Sequence, residues 1–364
     1  MRATRWHGDG DIRVDDIAEP TILDDRDAIV RVTLAGICGT DLHLLNAGSA
    51  LGLPEGMRIG HEFVGVVESV GRDIRGIRPG DRVVSPFAFC DNSCFFCEHD
   101  LHCNCEHGGI FGFAPMWKPE HGPEIQGCQS EFVRVPFADG TLVPIIESLA
   151  APEHDVKVLA LSDVFSTGFH GVIGADVGPG DTVVVIGDGA VGISAVQSAV
   201  AKGAAAVIHV GHHDDRLRIG VDGGATHSVN DATDGAGLDE VVRSLTSGRG
   251  ADAVVDTIAT DGTLNQAIGL VRSGGRLAFV GLGFAFKPPG GDIYQSAFWR
   301  NVSLHGGLAP SRAYIEQLMP MVEQGRIDPS VVFTHTLPLA QAPRGYDMMN
   351  GRVPGAVKVA LTMN

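Results

Sequence analysis

Basic residues are scarce in this chain of 364 residues: 27 Lys and Arg stand against 44 Asp and Glu, a formal net charge of −17. A surface that acidic lacks the basic footprint that nucleic acid or an anionic membrane requires, and neither is expected as a partner. No apolar run approaches the length of a membrane span. The opening residues, MRATRWHGDGDIRV, contain no apolar stretch of the kind that directs secretion, so a cytoplasmic location is expected. No internal repeat and no G-X-Y period is visible, which excludes a solenoid and a collagen-like rod.

Glycine, in contrast, is abundant: 49 residues, roughly twice the usual share. Without a repeat, that excess points to tight turns and close backbone approaches. Cysteine is odd in number, seven in all, and five of the seven fall between Cys90 and Cys105. Clustered thiols in a cytoplasmic chain hold metal more often than they form disulfides. The length exceeds what one ordinary core fills and predicts two or more domains.

The chain reads in three parts. Up to about residue 150, short β-rich runs such as Ala28–Leu34, Phe63–Val70 and Arg82–Ser85 alternate with Gly, Pro and Asp, which predicts a mostly antiparallel β domain. From about 155 to 300, apolar runs alternate with helical stretches. Thr182–Ile186, Ala206–Val210, Ala253–Asp256, Leu277–Val280 and Val302–Leu304 read as buried parallel strands, and Ala190–Lys202 as a helix. That is βαβ wiring and a doubly wound sheet. The last sixty or so residues predict a helix from Arg312 to Gln324, interrupted near Pro320, and a terminal strand, Val357–Thr362, that returns to the first domain.

Thr182–Ile186 runs straight into Gly187-Asp188-Gly189-Ala190-Val191-Gly192. A GxGxxG that closes a strand and opens a helix is a dinucleotide cradle. Gly187 permits the turn, Gly189 lets a pyrophosphate approach the backbone, and Gly192 lets the helix pack on the strand, with the anion at the helix N-terminus. About twenty positions on, such cradles carry an acid for the ribose 2′-hydroxyl of NAD. Here that position is Gly211, followed by His212, His213, Asp214, Asp215 and Arg216. Gly211 removes the charge that would repel a 2′-phosphate, and His212, His213 and Arg216 could donate to one, so NADP(H) is favoured. The alternative is that Asp214 or Asp215 swings in and NAD binds.

Cys38-Gly39-Thr40-Asp41-Leu42-His43 and Gly60-His61-Glu62 together supply a thiolate, an imidazole and a carboxylate, donors that suit zinc. Cys90, Cys94, Cys97, Cys103 and Cys105 form a second candidate, five cysteines for a site of four thiolates. His99, His102 and His107 flank this lobe and are read as surface or loop positions. Phe87, Phe89, Phe111, Phe113, Trp117 and Leu282 are candidate walls of a pocket. The glycine-, proline- and aromatic-rich stretch Gly108–Gly127 reads as a long loop that could set substrate specificity.

CGTDLH, the pattern G-H-E-x2-G-x5-G from Gly60 to Gly71, the cysteine lobe and the GxGxxG occur in this order over nearly the whole length. The chain thereby resembles the zinc-dependent alcohol dehydrogenases of the medium-chain dehydrogenase/reductase superfamily. The resemblance implies a GroES-like, mostly β catalytic domain (1–154 and 305–364) with an inserted Rossmann domain (155–304) and zinc at the cleft between them. It implies an α/β-plus-β fold, a small alcohol or carbonyl substrate, NAD(P), and a homo-oligomer, tetramer or dimer.

By position, the resemblance makes Cys38, His61 and Asp163 ligands of a catalytic zinc. Many members have cysteine at the third place; formaldehyde dehydrogenase-like members have aspartate. Glu62 matches a fourth ligand or an outer group. Asp41 matches the carboxylate that orients His61, Thr40 the hydroxyl that takes the substrate proton, and His43 the end of the relay to solvent. Thr167, Val191 and Leu282 match nicotinamide-side positions, and Lys358 a basic residue near the pyrophosphate. The lobe implies a structural zinc on Cys90, Cys94, Cys97 and Cys105, with Cys103 able to replace a neighbour. The family reads Cys-x2-Cys-x2-Cys-x7-Cys, whereas three residues separate Cys90 from Cys94 here, which reads as an insertion that bulges out. Formaldehyde dehydrogenase or dismutase activity, a polyol dehydrogenase and a non-enzymatic relative are the alternatives, the last disfavoured by the intact ligand set.

Overall fold

A computed structural model of the chain describes residues 1–113, 127–282 and 296–363. It divides into two compact units: Met1–Asp163 with Pro310–Gly325 and Phe333–Asn364, and Val164–Ala309 with Arg326–Val332.

In the first unit, β1 (Arg2–Gly8) and β2 (Asp11–Asp16) form an antiparallel hairpin. β3 (Ala28–Ile37) is the long central strand of a larger sheet and ends at α1 (Gly39–Ala47). β4 (Phe63–Val70) lies antiparallel to β3, and β5 (Arg82–Ser85) antiparallel to β4. β6 (Phe132–Val135) pairs with β3 as well. The apolar side chains of these strands, among them Val30, Val32, Phe63, Val67 and Val83, bury a common core with Phe89 and Phe111. Alternating β-branched residues make this mostly antiparallel sheet, as the sequence predicts.

The first boundary lies after Asp163 rather than after residue 154. α2 (Asp155–Leu161) packs against β3 and β4, and Asp155 accepts hydrogen bonds from Thr33 Oγ1 at 2.9 Å and from Arg82. A carboxylate committed to β3 and β5 ties this helix to the first unit.

The second unit begins with α3 (Val164–Gly174) and β7 (Thr182–Ile186). α4 (Ala190–Ala201), β8 (Ala206–Gly211), α5 (Asp214–Asp222), β9 (His227–Asn230), β10 (Ala251–Asp256), β11 (Val271–Phe279) and β12 (Ser303–Gly306) follow. The six strands form one parallel sheet in the order β9-β8-β7-β10-β11-β12. The order reverses beside β7, so its carboxyl end is the switch point where such sheets bind nucleotides. β9 was not among the predicted strands. Three of its four residues, His-Ser-Val-Asn, are polar and two are exposed, as an edge strand permits. β12 runs through residues 305 and 306, so the second boundary lies beyond the predicted 304. Residues 326–332 also join this unit: Gln197 exchanges two hydrogen bonds with the Asp328 backbone, at 2.8 and 3.0 Å.

The chain then completes the first unit. α6 (Ser311–Glu323) continues through Pro320, where the sequence predicts an interruption. A proline removes only its own donor, and the Pro320 carbonyl still accepts from Gln324 N at 3.1 Å. β13 (Phe333–Pro338), α7 (Ala342–Asn350) and β14 (Lys358–Thr362) end the fold. β14 lies between β13 and β3, pairing Val359 with Ile37. This is the predicted return of the terminal strand. Among the described residues no single helix is long and apolar enough to cross a membrane.

Candidate functional site

The end of β3 delivers Cys38 to the first turn of α1, where it is the N-cap residue. His61 and Glu62 precede β4, and Asp163 follows α2. The donor atoms of Cys38, His61, Glu62 and Asp163 lie within 4.8 Å of one another. Asp163 Oδ2 is 3.3 Å from Cys38 Sγ and 3.1 Å from His61 Nε2. Around a tetrahedral zinc, ligand atoms stand about 3.3–3.8 Å apart, so the residues present fit that ion.

The electrostatics agree with the geometry. Burial, reinforced by the Asp163 carboxylate, pushes the Cys38 thiol up to about 11. Burial pulls the His61 pKa down, but Asp41, Cys38 and Asp163 outweigh it and hold the pKa well above the usual value. The Asp41 and Asp163 carboxylates thus favour positive charge at the imidazole between them. A bound dication would take over that positive role and ionise the thiol.

Asp41 is fully buried one turn into α1. Its Oδ1 faces His61 Nδ1 at 3.4 Å, and its Oδ2 accepts from Cys38 N at 3.0 Å and Gln129 Nε2 at 3.1 Å. His61 thus stands between two carboxylates, with Nδ1 toward Asp41 and Nε2 toward Asp163. Gln129 in turn accepts from Tyr346 Oη at 2.9 Å and donates to the Gly36 carbonyl at 3.0 Å. Gln129 and Tyr346 carry no motif, and only the fold brings α7 to this place.

Glu62 and Lys358 form a buried ion pair, Nζ to Oε1 2.7 Å, and Lys358 also donates to the Ile37 carbonyl at 3.1 Å. Lys358 is 1% exposed. The resemblance assigns it to a pyrophosphate; the structure instead commits its ammonium to Glu62, because a buried cation needs a counter-charge. Burial raises the Glu62 carboxyl to about 7, opposed by Lys358. Among the described residues Glu62 Oε2 has no hydrogen-bond partner, and it is the atom left for an ion.

Thr40 Oγ1 lies 3.6 Å from Cys38 Sγ. His43, three residues on along α1, is at the surface, and burial of part of its ring lowers its pKa. Residues three apart share a helix face, so the two can act in sequence. Among the predicted pocket walls, Phe87 and Phe113 set ring edges against His61, with centroids 6.5 and 6.2 Å away. Phe89 and Phe111 pack into the core. Trp117 and most of the 108–127 loop lie outside the described residues.

In the second unit, Gly187 takes φ +115°, and a side chain at Gly192 would meet the Gly187 carbonyl. Gly189 is the N-cap of α4, and a Cβ there would meet no atom within 4 Å among the described residues. This is the strand–turn–helix geometry the motif predicts. Thr167 precedes Gly168, where α3 packs closely on the Val191 carbonyl at the start of α4. Leu282 is half-exposed at the end of the β11 segment.

The end of β8 departs from expectation. A Cβ on Gly211 would lie 2.5 Å from Asp188 Oδ2, so the space of the missing acid is filled by the cradle's own aspartate. That oxygen accepts from His212 N at 2.8 Å, His213 N at 2.9 Å and His213 Nδ1 at 2.9 Å. Arg216 stands 3.8 Å from Asp188 Oδ1, and His212 Nε2 is 3.0 Å from Asp231 Oδ1. Each expected phosphate donor is thus beside a carboxylate.

The cysteine lobe also departs from expectation. The donor atoms brought within 4.8 Å are those of Asp91, Cys94, Cys97 and Cys105. Cys90 packs beside them, but its thiol donates to the Gly140 carbonyl at 3.3 Å. Cys103 turns to Asn104, 3.3 Å away. His99 and His102 bond to the Phe95 carbonyl and to Asn92, at 2.7 and 2.9 Å, and His102 is buried rather than at the surface. Cys128 is buried in the core of the first unit.

Comparison with known proteins agrees with these features. The family described as "Alcohol dehydrogenase GroES-like domain" matches residues 24–146, and "Zinc-binding dehydrogenase" matches residues 190–324. A zinc-type alcohol dehydrogenase-like protein of Bacillus subtilis, AdhB, is 34% identical over 99% of this chain and 100% of its own. A glutathione-independent formaldehyde dehydrogenase of Pseudomonas aeruginosa is 30% identical over 97% of this chain and 96% of its own. The solved structure of the alcohol dehydrogenase TADH from Thermus sp. ATN1 superposes with a TM-score of 0.88 at 34% identity, covering 100% of this chain and 99% of that one.

Proposed function

The chain belongs to the zinc-dependent alcohol dehydrogenases of the medium-chain dehydrogenase/reductase superfamily, and on that premise we propose that this oxidoreductase moves hydride between a small alcohol and its aldehyde or ketone with a nicotinamide dinucleotide. The observation that carries the reading is the convergence of Cys38 Sγ, His61 Nε2 and Asp163 Oδ2, with the Thr40 hydroxyl beside them.

When bound, zinc supplies a Lewis acid that acidifies a hydroxyl or polarises a carbonyl, and the nicotinamide supplies the hydride acceptor or donor. Cys38, His61 and Asp163 would hold the ion, and Asp41 would fix the tautomer and direction of His61. Glu62, balanced by Lys358, would be a further donor at Oε2. Thr40 accepts the substrate proton at Oγ1. His43 passes it to solvent; burial of part of its ring lowers its pKa, which favours the neutral imidazole that can accept. Phe87 and Phe113 shield the apolar side of His61 from water.

For the dinucleotide, Gly187, Gly189, Val191 and Gly192 form the pyrophosphate cradle. The preference for NADP(H) expected from Gly211 meets a carboxylate at the same point, and His212, His213 and Arg216 are engaged by acids. We therefore assign the preference to NAD(H), with Asp188 excluding a 2′-phosphate. Asp188→Asn keeps an acceptor for the 212–213 backbone and removes the charge. It should shift the ratio of kcat/KM values toward NADP(H) by about 2 kcal/mol, roughly thirtyfold. A wild-type enzyme that favours NADP(H), unchanged by this substitution, would refute the assignment.

A second reading, formaldehyde oxidation or dismutation, is favoured by Asp163 and uses the same residues. A polyol dehydrogenase is a further option. A homo-oligomer, dimer or tetramer, goes with the exposed apolar side chains of Phe298, Trp299 and Leu304 in the second unit. Assay of primary, secondary and aromatic alcohols and formaldehyde with both cofactors, beside metal analysis, tests the main reading. Zinc-dependent turnover of at least one alcohol is expected. A chain without zinc and without hydride transfer across the panel would be a non-enzymatic relative.

A further inference from the structure

We propose that the lobe metal of this chain is held by one carboxylate and three thiolates, Asp91, Cys94, Cys97 and Cys105, and that Cys90 is not a ligand. The inference rests on the reading that the lobe binds zinc.

The distances describe a tetrahedral cage. Cys94 Sγ stands 3.6 Å from Cys97 Sγ and 3.8 Å from Cys105 Sγ. Asp91 Oδ1 stands 3.5 Å from Cys97 Sγ and 3.3 Å from Cys105 Sγ. Zinc–sulfur bonds near 2.3 Å and zinc–oxygen bonds near 2.0 Å give tetrahedral edges of about 3.8 Å between sulfurs and about 3.5 Å between sulfur and oxygen. The four donors are therefore spaced for zinc as they stand.

The local backbone is arranged around the same four groups. Asp91 Oδ1 accepts from Ser93 N at 3.0 Å and Cys94 N at 3.2 Å, which fixes the carboxylate over the thiols. Asp91 Oδ2 is 2.6 Å from His107 Nδ1, an outer partner of the kind that orients a ligating carboxylate. Backbone amides of Asp91 and Glu106 point at Cys105 Sγ and Cys94 Sγ, at 3.4 and 3.5 Å. Cys90 also interacts with Cys97, but its amide donates to Thr141 Oγ1 at 3.0 Å and its thiol to the Gly140 carbonyl, away from the cage.

Counting from Asp91 also removes the apparent insertion. Asp91-x2-Cys94-x2-Cys97-x7-Cys105 has the family spacing without a bulge, with a carboxylate in the first place. Carboxylate for thiolate preserves the charge of the donor set, so the ion's charge is balanced as before. It makes the set harder, and lowers its affinity for soft ions such as Cu(I) relative to four thiolates.

The test uses the whole protein and reads metal rather than turnover. Zinc analysis of the wild type should give two ions per chain, and Cys90→Ser should keep both. Asp91→Ala should lose one ion to a mild chelator. Asp91→Cys guards against misfolding: it should keep both ions and, after cobalt substitution, raise the lobe's thiolate-to-cobalt absorption in the ratio four to three. Cys90→Ser should leave that absorption unchanged; the Cys38 contribution cancels between variants. Loss of an ion or of absorption in Cys90→Ser, with Asp91→Ala unaffected, overturns the assignment. A wild type that binds only one ion refutes the zinc reading of the lobe itself, which is a separate failure.

Discussion

Asp163→Ala should leave one zinc per chain and lower kcat/KM by at least about a thousandfold. Residues that merely orient a metal ligand cost ten- to a hundredfold when removed, and a direct donor costs more. Asp163 Oδ2 is the atom common to both short contacts of the centre, 3.3 Å to Cys38 Sγ and 3.1 Å to His61 Nε2. Without it, the remaining donors are a thiol held up near 11 by burial, an imidazole, and a carboxylate already shared with Lys358. Those three leave the side of the site that Asp163 occupies without a protein donor. Asp163→Cys supplies another singly charged donor and should recover the zinc and much of the activity. An Asp163→Ala protein that keeps both ions and turns over normally would remove Asp163 from the ligand set. Metal analysis and steady-state kinetics on the same samples decide it.

Thr40→Ala should keep two zinc ions per chain yet lose about 10²–10³ in kcat, with little change in KM. A positioned proton acceptor contributes on that scale. The hydroxyl stands in the first turn of α1, 3.6 Å from Cys38 Sγ, where a substrate oxygen bound at the metal centre would come within reach. Serine presents the same oxygen, so Thr40→Ser should retain most of the rate. A loss of zinc in Thr40→Ala would mean that Thr40 supports the centre rather than serving the proton. A kcat within a few fold of wild type would mean that the proton leaves another way.

Much of this was legible in the chain because the chemistry is written locally. The strand–glycine–helix cradle, CGTDLH and Gly60-His61-Glu62 each fix their geometry within a few residues. The β7–α4 unit and the end of β14 fall where the periodicity puts them. Two of the misses share a physical cause, which is that a carboxylate can take a position by reaching into it. Counting cysteines drew Cys90 into the lobe, while Asp91, one residue later, points its oxygen at the thiols. Gly211 looked like a vacancy at the end of β8, while Asp188 fills it from the variable position of the glycine motif. Gln129 and Tyr346 have no local signature at all, since α7 reaches Asp41 only through the folded sheet. The β9 edge strand was invisible because strands at an edge need not be apolar.

The position of β14 bears on the order of assembly. Val359 pairs with Ile37 in the middle of the first unit's sheet, and Lys358 on the same strand neutralises Glu62 beside Cys38 and His61. The core of the second unit, Val164–Ala309, is continuous in sequence. The first unit must join strands separated by that whole insertion. Closing so long a loop costs about 5 kcal/mol of chain entropy, and pairing of distant strands slows folding. The continuous core of the second unit is therefore expected to form ahead of the pairing of β14. Until β14 docks, Glu62 lacks its counter-ion and the sheet beneath Cys38 lacks its neighbour.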